Sequence, residues 1–191
     1  MYNVVWHRKF FCFQEGDLMV FAKSFVQFQS CIKDLIETPV VRTMNNFTQH
    51  SLVTTLEHCL FVSYVSFLIC KFLGLNYYAA ARGGLLHDLF LYDWHDGHRD
   101  RRFHGFTHPK TALMNATMHF NLSSMEQDII KKHMWPLTLV LPRYRESYVV
   151  SLADKICCVL EVLGLYRLVW IRRIMLLHSK FSEVPAPLKS V

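Results

Sequence analysis

The amino-acid sequence predicts an all-α domain, and three observations carry that prediction. Apolar residues recur at spacings of three and four through most of the long segments, the periodicity of a helix with one buried face. No stretch shows sustained period-two alternation bounded by turn residues, the mark of a half-buried strand. Only 7 Gly and 6 Pro occur in 191 residues, of which 52% are apolar. The chain therefore has the material for a sizeable core and little of the composition of disorder.

Residues 17–37 place Phe21, Phe25, Phe28, Ile32, Leu35 and Ile36 on one helix face. Pro39 stops that pattern, and a polar stretch through Asn45, Asn46 and Thr48 follows. Thr54 with Glu57 three residues later reads as a capping box, opening a helix over 56–73 that Gly74 ends. A third helix is expected over 77–91, with Ala79, Ala80, Ala81, Gly83 and Gly84 at its centre. Paired glycines weaken a helix by about 1 kcal/mol each relative to Ala; a smooth face for close helix contact is one reason to keep them. Residues 92–107 are polar, rich in His and Asp, and read as a long loop of the kind that carries function.

Pro109 suits the first turn of a helix running to about Phe120. Ser123 and Ser124, followed by Glu126 and Gln127, cap a helix over 125–135 that Pro136 closes. Past a loop at Pro142, residues 146–165 are apolar and helical, broken near Gly164. A basic helix over 166–178 precedes Pro185 and Pro187. This organisation makes 1–45 an N-terminal helical extension packed on the core, 46–165 the central domain, and 166–191 a C-terminal helix and tail.

The formal net charge of +6 is modest and fits solvated faces together with some attraction for phosphate-bearing ligands. Basic residues are scattered apart from Arg99, Arg101 and Arg102 and the pair Arg172 and Arg173. No basic stripe interleaved with aromatics is present, so nucleic acid is not an expected partner. The six cysteines, at 12, 31, 59, 70, 157 and 158, form no C-x-x-C pair, and most lie in apolar stretches. That pattern suits buried, reduced thiols and a cytoplasmic protein. The N-terminal apolar run is too short and interrupted for a signal peptide. The most apolar stretch, 59–75, contains Ser63, Ser66 and Lys71 and falls short of the ~20 apolar residues of a spanning helix. A soluble protein without a membrane partner is expected.

Five polar residues break the apolar faces. His58 shares a helical stripe with Val62, Val65 and Ile69, so it points toward the core; a lone histidine there is ordinarily a hydrogen-bonded core residue. His87 and Asp88 directly follow Leu85 and Leu86. Burying Asp88 unpaired would be costly, and a cation, an Arg partner or solvent at the helix end are the remedies. Asp154 stands in the apolar run 149–156, with Lys155 some 100° away around the helix and not an obvious partner. His133 shares a face with Ile129 and Ile130. Inward histidines and carboxylates on separate helices form a convergent polar centre, the way metal sites are built in bundles. Nitrogen and oxygen ligands without thiolates suit a divalent transition metal, Mn, Fe, Co, Ni or Zn, as one ion or two.

The ordered set His58, His87-Asp88, Asp154 resembles the defining pattern of the HD superfamily of metal-dependent phosphohydrolases. The contexts Glu57-His58-Cys59, Gly84-Leu85-Leu86-His87-Asp88 and Leu152-Ala153-Asp154-Lys155 are similar too, and the likeness spans roughly residues 46–163. The resemblance implies an all-α HD-domain bundle in which His58, His87, Asp88 and Asp154 hold a first ion. Asp88 would bridge to a second ion held by His108 and His133. His104 competes with His108 for that role or contacts substrate phosphate. The segment Leu89 to Asp96 departs from the Gly- and Glu-containing continuation common in the family, which leaves Asp93, His95 and Asp96 as open candidates for general acid or base. Lys155, Lys110, Arg143 and Arg145 are candidates to hold phosphate. Gln49, His50 and Glu57 are candidate partners behind the ligands.

The expected activity is hydrolysis of a phosphomonoester, phosphodiester or phosphoanhydride, on a nucleotide-like substrate, by metal-activated water. Three alternatives stand beside it: a catalytically weak HD-scaffold binding or sensor protein, a diiron oxygenase on the same scaffold, and a metal-free helical interaction protein. Trp170 and the apolar stretch 171–177 offer a face for packing on the domain or for a homodimer.

Overall fold

Capping residues start the helices on which the rest is hung. The computed structural model describes residues 15–50, 53–93 and 104–165. Along these the order is α1 (Glu15–Ile36), α2 (Pro39–Thr43), a 3-10 turn (Met44–Asn46), β1 (Thr48–His50), β2 (Val53–Thr54), α3 (Thr55–Phe72), α4 (Tyr77–Leu86), α5 (His104–His119), α6 (Ser124–Lys132) and α7 (Arg145–Val162). Thr54 and Glu57 form the expected capping box: the Glu57 amide donates to Thr54 Oγ1 at 3.2 Å, and the Thr54 amide to Glu57 Oε2 at 2.9 Å. Ser123 and Glu126 repeat the device at α6, with 3.3 and 2.7 Å for the same two bonds. Asn76 caps α4, its side chain accepting from the Ala79 amide at 3.0 Å, while its own amide donates to buried Glu146 of α7 at 2.9 Å.

The bundle is mostly helical, as expected, and its departures are local. Pro39 does more than end α1: it opens the one-turn α2, which suits its fixed φ and missing N–H. The polar stretch beyond contains a two-stranded antiparallel hairpin pairing Thr48 with Thr54 and His50 with Val53, too short for any alternation to register. α4 stops at Leu86 rather than Leu91, and Leu91 takes a positive φ of 58°, which no helix can accommodate. α5 begins at His104, so Pro109 lies inside it rather than in its first turn and forgoes the bond to the carbonyl four residues back. α6 ends at Lys132, before Trp135. The expected helix over 166–178 and the face offered by Trp170 and 171–177 lie outside the described residues.

Two clusters of buried side chains flank α3. One joins Phe28, Ile32 and Leu35 of α1 to Phe67 of α3, Leu85 of α4 and Ala112 of α5; the other joins Val62 of α3 to Ile129 of α6 and Val150, Ala153 and Cys157 of α7. α3 would satisfy a test of length and composition for a membrane span. Here it is the central helix, with His58, Cys59, Val62, Phe67 and Cys70 buried. The far side of α7 presents Leu152, Ile156, Val159 and Leu163 to solvent, and no described element covers them. Arg82 of α4 ties three helices together. Its Nε donates to Glu126 Oε1 of α6 at 2.6 Å, and one terminal nitrogen donates to Asp34 Oδ1 of α1 at 2.6 Å.

The paired glycines of α4 serve close packing, as anticipated. A Cβ on Gly84 would lie 3.0 Å from Ser63 Cα and 3.3 Å from Ser63 N, main-chain atoms of α3 that no rotamer change can move. A Cβ on Gly83 would meet the Ile129 side chain at 2.6 Å. Gly84→Ala should therefore push α3 and α4 apart. Overpacking of this kind costs about 1–3 kcal/mol, against the ~1 kcal/mol of helix propensity that Ala regains. A net loss of stability in urea unfolding is expected, and a stabilised variant would contradict the contact.

Candidate metal centre

Four histidines and two aspartates converge where α4 and α6 end. His58 comes from the first turn of α3, His87 is the residue that caps the C-terminus of α4, and Asp88 follows it. His108 comes from α5, His133 caps the C-terminus of α6, and Asp154 comes from α7. Three overlapping sets each offer one ligand atom per residue within 4.8 Å of the others: His58, His87 and Asp88; His87, His133 and Asp154; Asp88, His108 and His133. These six are the residues the sequence nominated as ligands, and the fold brings all of them together.

The contacts sort the two Asp88 oxygens to different neighbours. Oδ1 lies 3.1 Å from His108 Nε2 and 3.5 Å from His133 Nε2. Oδ2 lies 3.4 Å from His87 Nε2 and accepts a bond from Gln49 Nε2 at 2.7 Å. Asp154 Oδ1 faces His58 Nε2 at 3.1 Å and His87 Nε2 at 3.6 Å. His108 Nε2 and His133 Nε2 stand 2.8 Å apart, close enough that a proton or a shared ion must lie between their lone pairs.

Ring orientation follows from the helix ends. His87 Nδ1 lies 2.8 Å from the Gly84 carbonyl and His133 Nδ1 lies 2.9 Å from the Ile130 carbonyl. In both cases the acceptor is three residues back, in the last turn, where carbonyls have no helix partner. A proton on Nδ1 satisfies that carbonyl and leaves Nε2 to face the centre. The C-terminal ends of α4 and α6 also bring partial negative charge to the same point, which favours a cation.

Two tests of fit agree. Buried polar atoms are nearly always hydrogen-bonded, yet His87 Nε2 and Asp88 Oδ1 have no hydrogen-bond partner; both point into the cluster. The protonation pattern gives the second. Burial opposes charge on His58 and His87. It is outweighed at His58 by Asp154 and Glu161, and at His87 chiefly by Asp88, so both imidazoles rise well above their ordinary range. Burial would likewise raise the aspartates. Instead His87, His108 and His133 hold Asp88 well below the carboxylate range, and His58 and His87 do the same for Asp154. His133 is pushed down to about 3 by burial and by its neighbour His87. Without an ion, the carboxylates favour protons on His58 and His87. A dication held by the same nitrogens supplies equivalent charge.

The remaining candidates are placed elsewhere. Asp93 is exposed and belongs to none of the three sets. His104 opens α5 at the backbone level, but its side chain lies outside the described residues, as do His95 and Asp96. Lys110, Arg143 and Arg145 are exposed; Arg143 lies over the Tyr144 ring, 5.7 Å from its centroid. Lys155 turns toward the end of α6, donating to the His133 carbonyl at 3.0 Å and to Ser151 O and Oγ at 3.1 Å each. Its Nζ is 3.9 Å from Asp154 Oδ2. Of the partners considered behind the ligands, Gln49 holds Asp88, Glu57 is spent on the α3 cap, and the His50 side chain lies outside the described residues. Glu161 was not anticipated. It sits seven residues after Asp154 on the same helix face, an acid in an apolar helix, and that spacing was the signal available.

No family model, curated protein or solved structure matches the chain. The structure by itself gives a helical bundle with buried His/Asp groups able to hold a metal ion.

Uptake of a dication should displace the protons on His58 and His87, since ligand nitrogens must be unprotonated. Zinc titrated by calorimetry in buffers of differing ionisation enthalpy should release roughly two protons near neutral pH. Affinity should fall as pH falls, because protons then compete better for Nε2. Binding independent of pH would contradict this assignment.

Proposed function

We propose that the protein is an HD-type metal-dependent phosphohydrolase that cleaves a phosphomonoester, phosphodiester or phosphoanhydride, with nucleotide-like compounds as the substrate class. The observation that carries this reading is the shared carboxylate of Asp88. One oxygen faces the His108 and His133 pair, the other faces His87, and one of the two is without a hydrogen bond though buried. That is the arrangement needed to bridge two ion positions. His58, His87, Asp88 and Asp154 would hold the first ion, and Asp88, His108 and His133 the second. A divalent ion bound there supplies Lewis acidity, activating water at neutral pH and offsetting charge on phosphate.

The chain's own residues set the approach. Asp154 has 13% of its side chain exposed, against 5% or less for the other five ligands, so among the described residues the centre is most open on the α7 side. Lys155 stands at that opening, 39% exposed. Its three N–H groups are directed to protein oxygens, so it offers phosphate a nearby positive charge and steadies the residue that ligates from α6. Burial lowers its pKa, with Asp154 acting in the opposite direction.

The test is direct. Protein stripped with a chelator and reloaded separately with Mn, Fe, Co, Ni or Zn should hydrolyse members of a panel of aryl phosphates, bis-aryl phosphates and nucleotides. The stripped protein should hydrolyse none. Asp88→Ala should lose both bound metal and turnover while retaining helical circular dichroism; full metal occupancy in that variant would refute the bridging assignment. A loaded wild type inert toward the whole panel would favour a binding or sensor role, and iron-dependent oxygen uptake would favour an oxygenase.

A further inference from the structure

Two of the ligand histidines solve the problem of orientation in the same way. His87 and His133 stand at helix C-termini and reach back to free carbonyls of their own last turns. His58 cannot do this. It lies in the first turn of α3, where the carbonyls near its ring are committed to the helix ladder. What meets its Nδ1 instead comes from 103 residues away: Glu161 Oε2 at 2.9 Å and Oε1 at 3.1 Å. Both side chains are buried, at 0% and 1% exposure, and His58 is the hydrogen-bonding side chain found for Glu161 among the described residues.

We infer that Glu161 is a positioning residue of the metal centre, accepting the Nδ1 proton of His58 so that Nε2 presents its lone pair to the ion. The inference rests on the metal reading above. Chemistry favours a carboxylate in this place. It is a stronger acceptor than a carbonyl, raises the basicity of the ligating nitrogen, and locks the ring plane as well as the tautomer. A purely structural explanation fares worse. The neighbours of Glu161 along the α7 face that packs inward are Val150, Ala153 and Cys157, all buried, and an apolar side chain would fit that surface without desolvating a charge. The spacing also matters: Asp154 and Glu161 project from one helix face two turns apart, so α7 grips His58 at both ring nitrogens, at 3.1 Å and 2.9 Å. One helix thus sets where the ring lies and which nitrogen it offers.

The experiment uses the full chain with zinc. Affinity is measured by competition against a chromophoric chelator, and long-range proton–nitrogen spectra of the zinc-loaded protein report the His58 tautomer. Glu161→Leu removes the acceptor and should lower zinc affinity about 10–100-fold, with the His58 tautomer no longer fixed; because it also takes the Glu161 contact from Nδ1 of the buried His58 ring, some loss of urea midpoint accompanies it. Glu161→Gln keeps an acceptor oxygen and should recover most of that affinity, with Nδ1 protonated as in the wild type. Wild-type affinity in Glu161→Leu would overturn the proposal and leave the metal reading intact. Equal losses of affinity in both variants, tracking a loss of stability, would also overturn it, marking Glu161 as structural. A wild-type chain that takes up no zinc would overturn the metal reading and this proposal together.

Discussion

Two carboxylates, Asp88 buried and Asp154 mostly so, constrain this molecule more than any other feature. Asp88 and Asp154 sit where α4, α6 and α7 meet, and a carboxylate removed from water is tolerated only with opposite charge and hydrogen bonds close by. The fold answers with imidazoles rather than with Lys or Arg. Arg82, the one well-buried guanidinium among the described residues, is spent on Glu126 and Asp34 some distance along the same helix. Imidazole differs from those cations in one decisive respect: near neutral pH it can give up its proton and become a ligand. A centre neutralised by imidazolium is therefore one that a dication can take over without rearranging the chain.

Placement of those imidazoles depends on where helices stop. α4 ends at Leu86 and α6 at Lys132, so His87 and His133 are each the first residue past a helix. There a free carbonyl three residues back fixes the ring, and the negative end of the helix dipole faces the same point. Gly84 has two roles at once. Its carbonyl anchors His87, and its missing Cβ lets α4 lie against the backbone of α3, which brings His58 and His87 within reach of one another. Packing and chemistry are linked through that single residue.

Much of this was legible in the sequence. Helical periodicity located α1, α3 and α7, both capping boxes were visible as Thr54 with Glu57 and Ser123 with Glu126, and the paired glycines announced a close approach. Inward-facing His58, His133 and Asp154 could be read from their stripes because a polar residue on an apolar face has little else to do. What escaped has a common physical character. The end of α4 and the start of α5 depend on tertiary contacts that override local propensity, so Leu91 left the helix and Pro109 came to lie inside one. The hairpin at 48–54 is too short to show alternation. Lys155, beside a ligand in sequence, turned out to serve the His133 carbonyl, a destination set by how α7 lies on the end of α6. Glu161 belongs to His58 only through a contact spanning 103 residues, and nothing local reveals the partner.

Two of these omissions, Lys155 and Glu161, lie on α7, and that says something about how the centre is assembled. Asp154 supplies a ligand, Glu161 holds the back of His58, and Lys155 with Ser151 holds the turn after α6 through the carbonyls of His133 and Trp135. The same helix also braces the start of α4 through Glu146. The elements that carry ligands from α3, α4 and α6 are thus braced by one helix, the last among the described residues. Until α7 docks, the carboxylate of Asp154 is absent from the centre and His58 lacks the contacts that α7 makes to both its ring nitrogens. An ion held by the full set of ligands, Asp154 included, must therefore stabilise the packing of α7 by mass action.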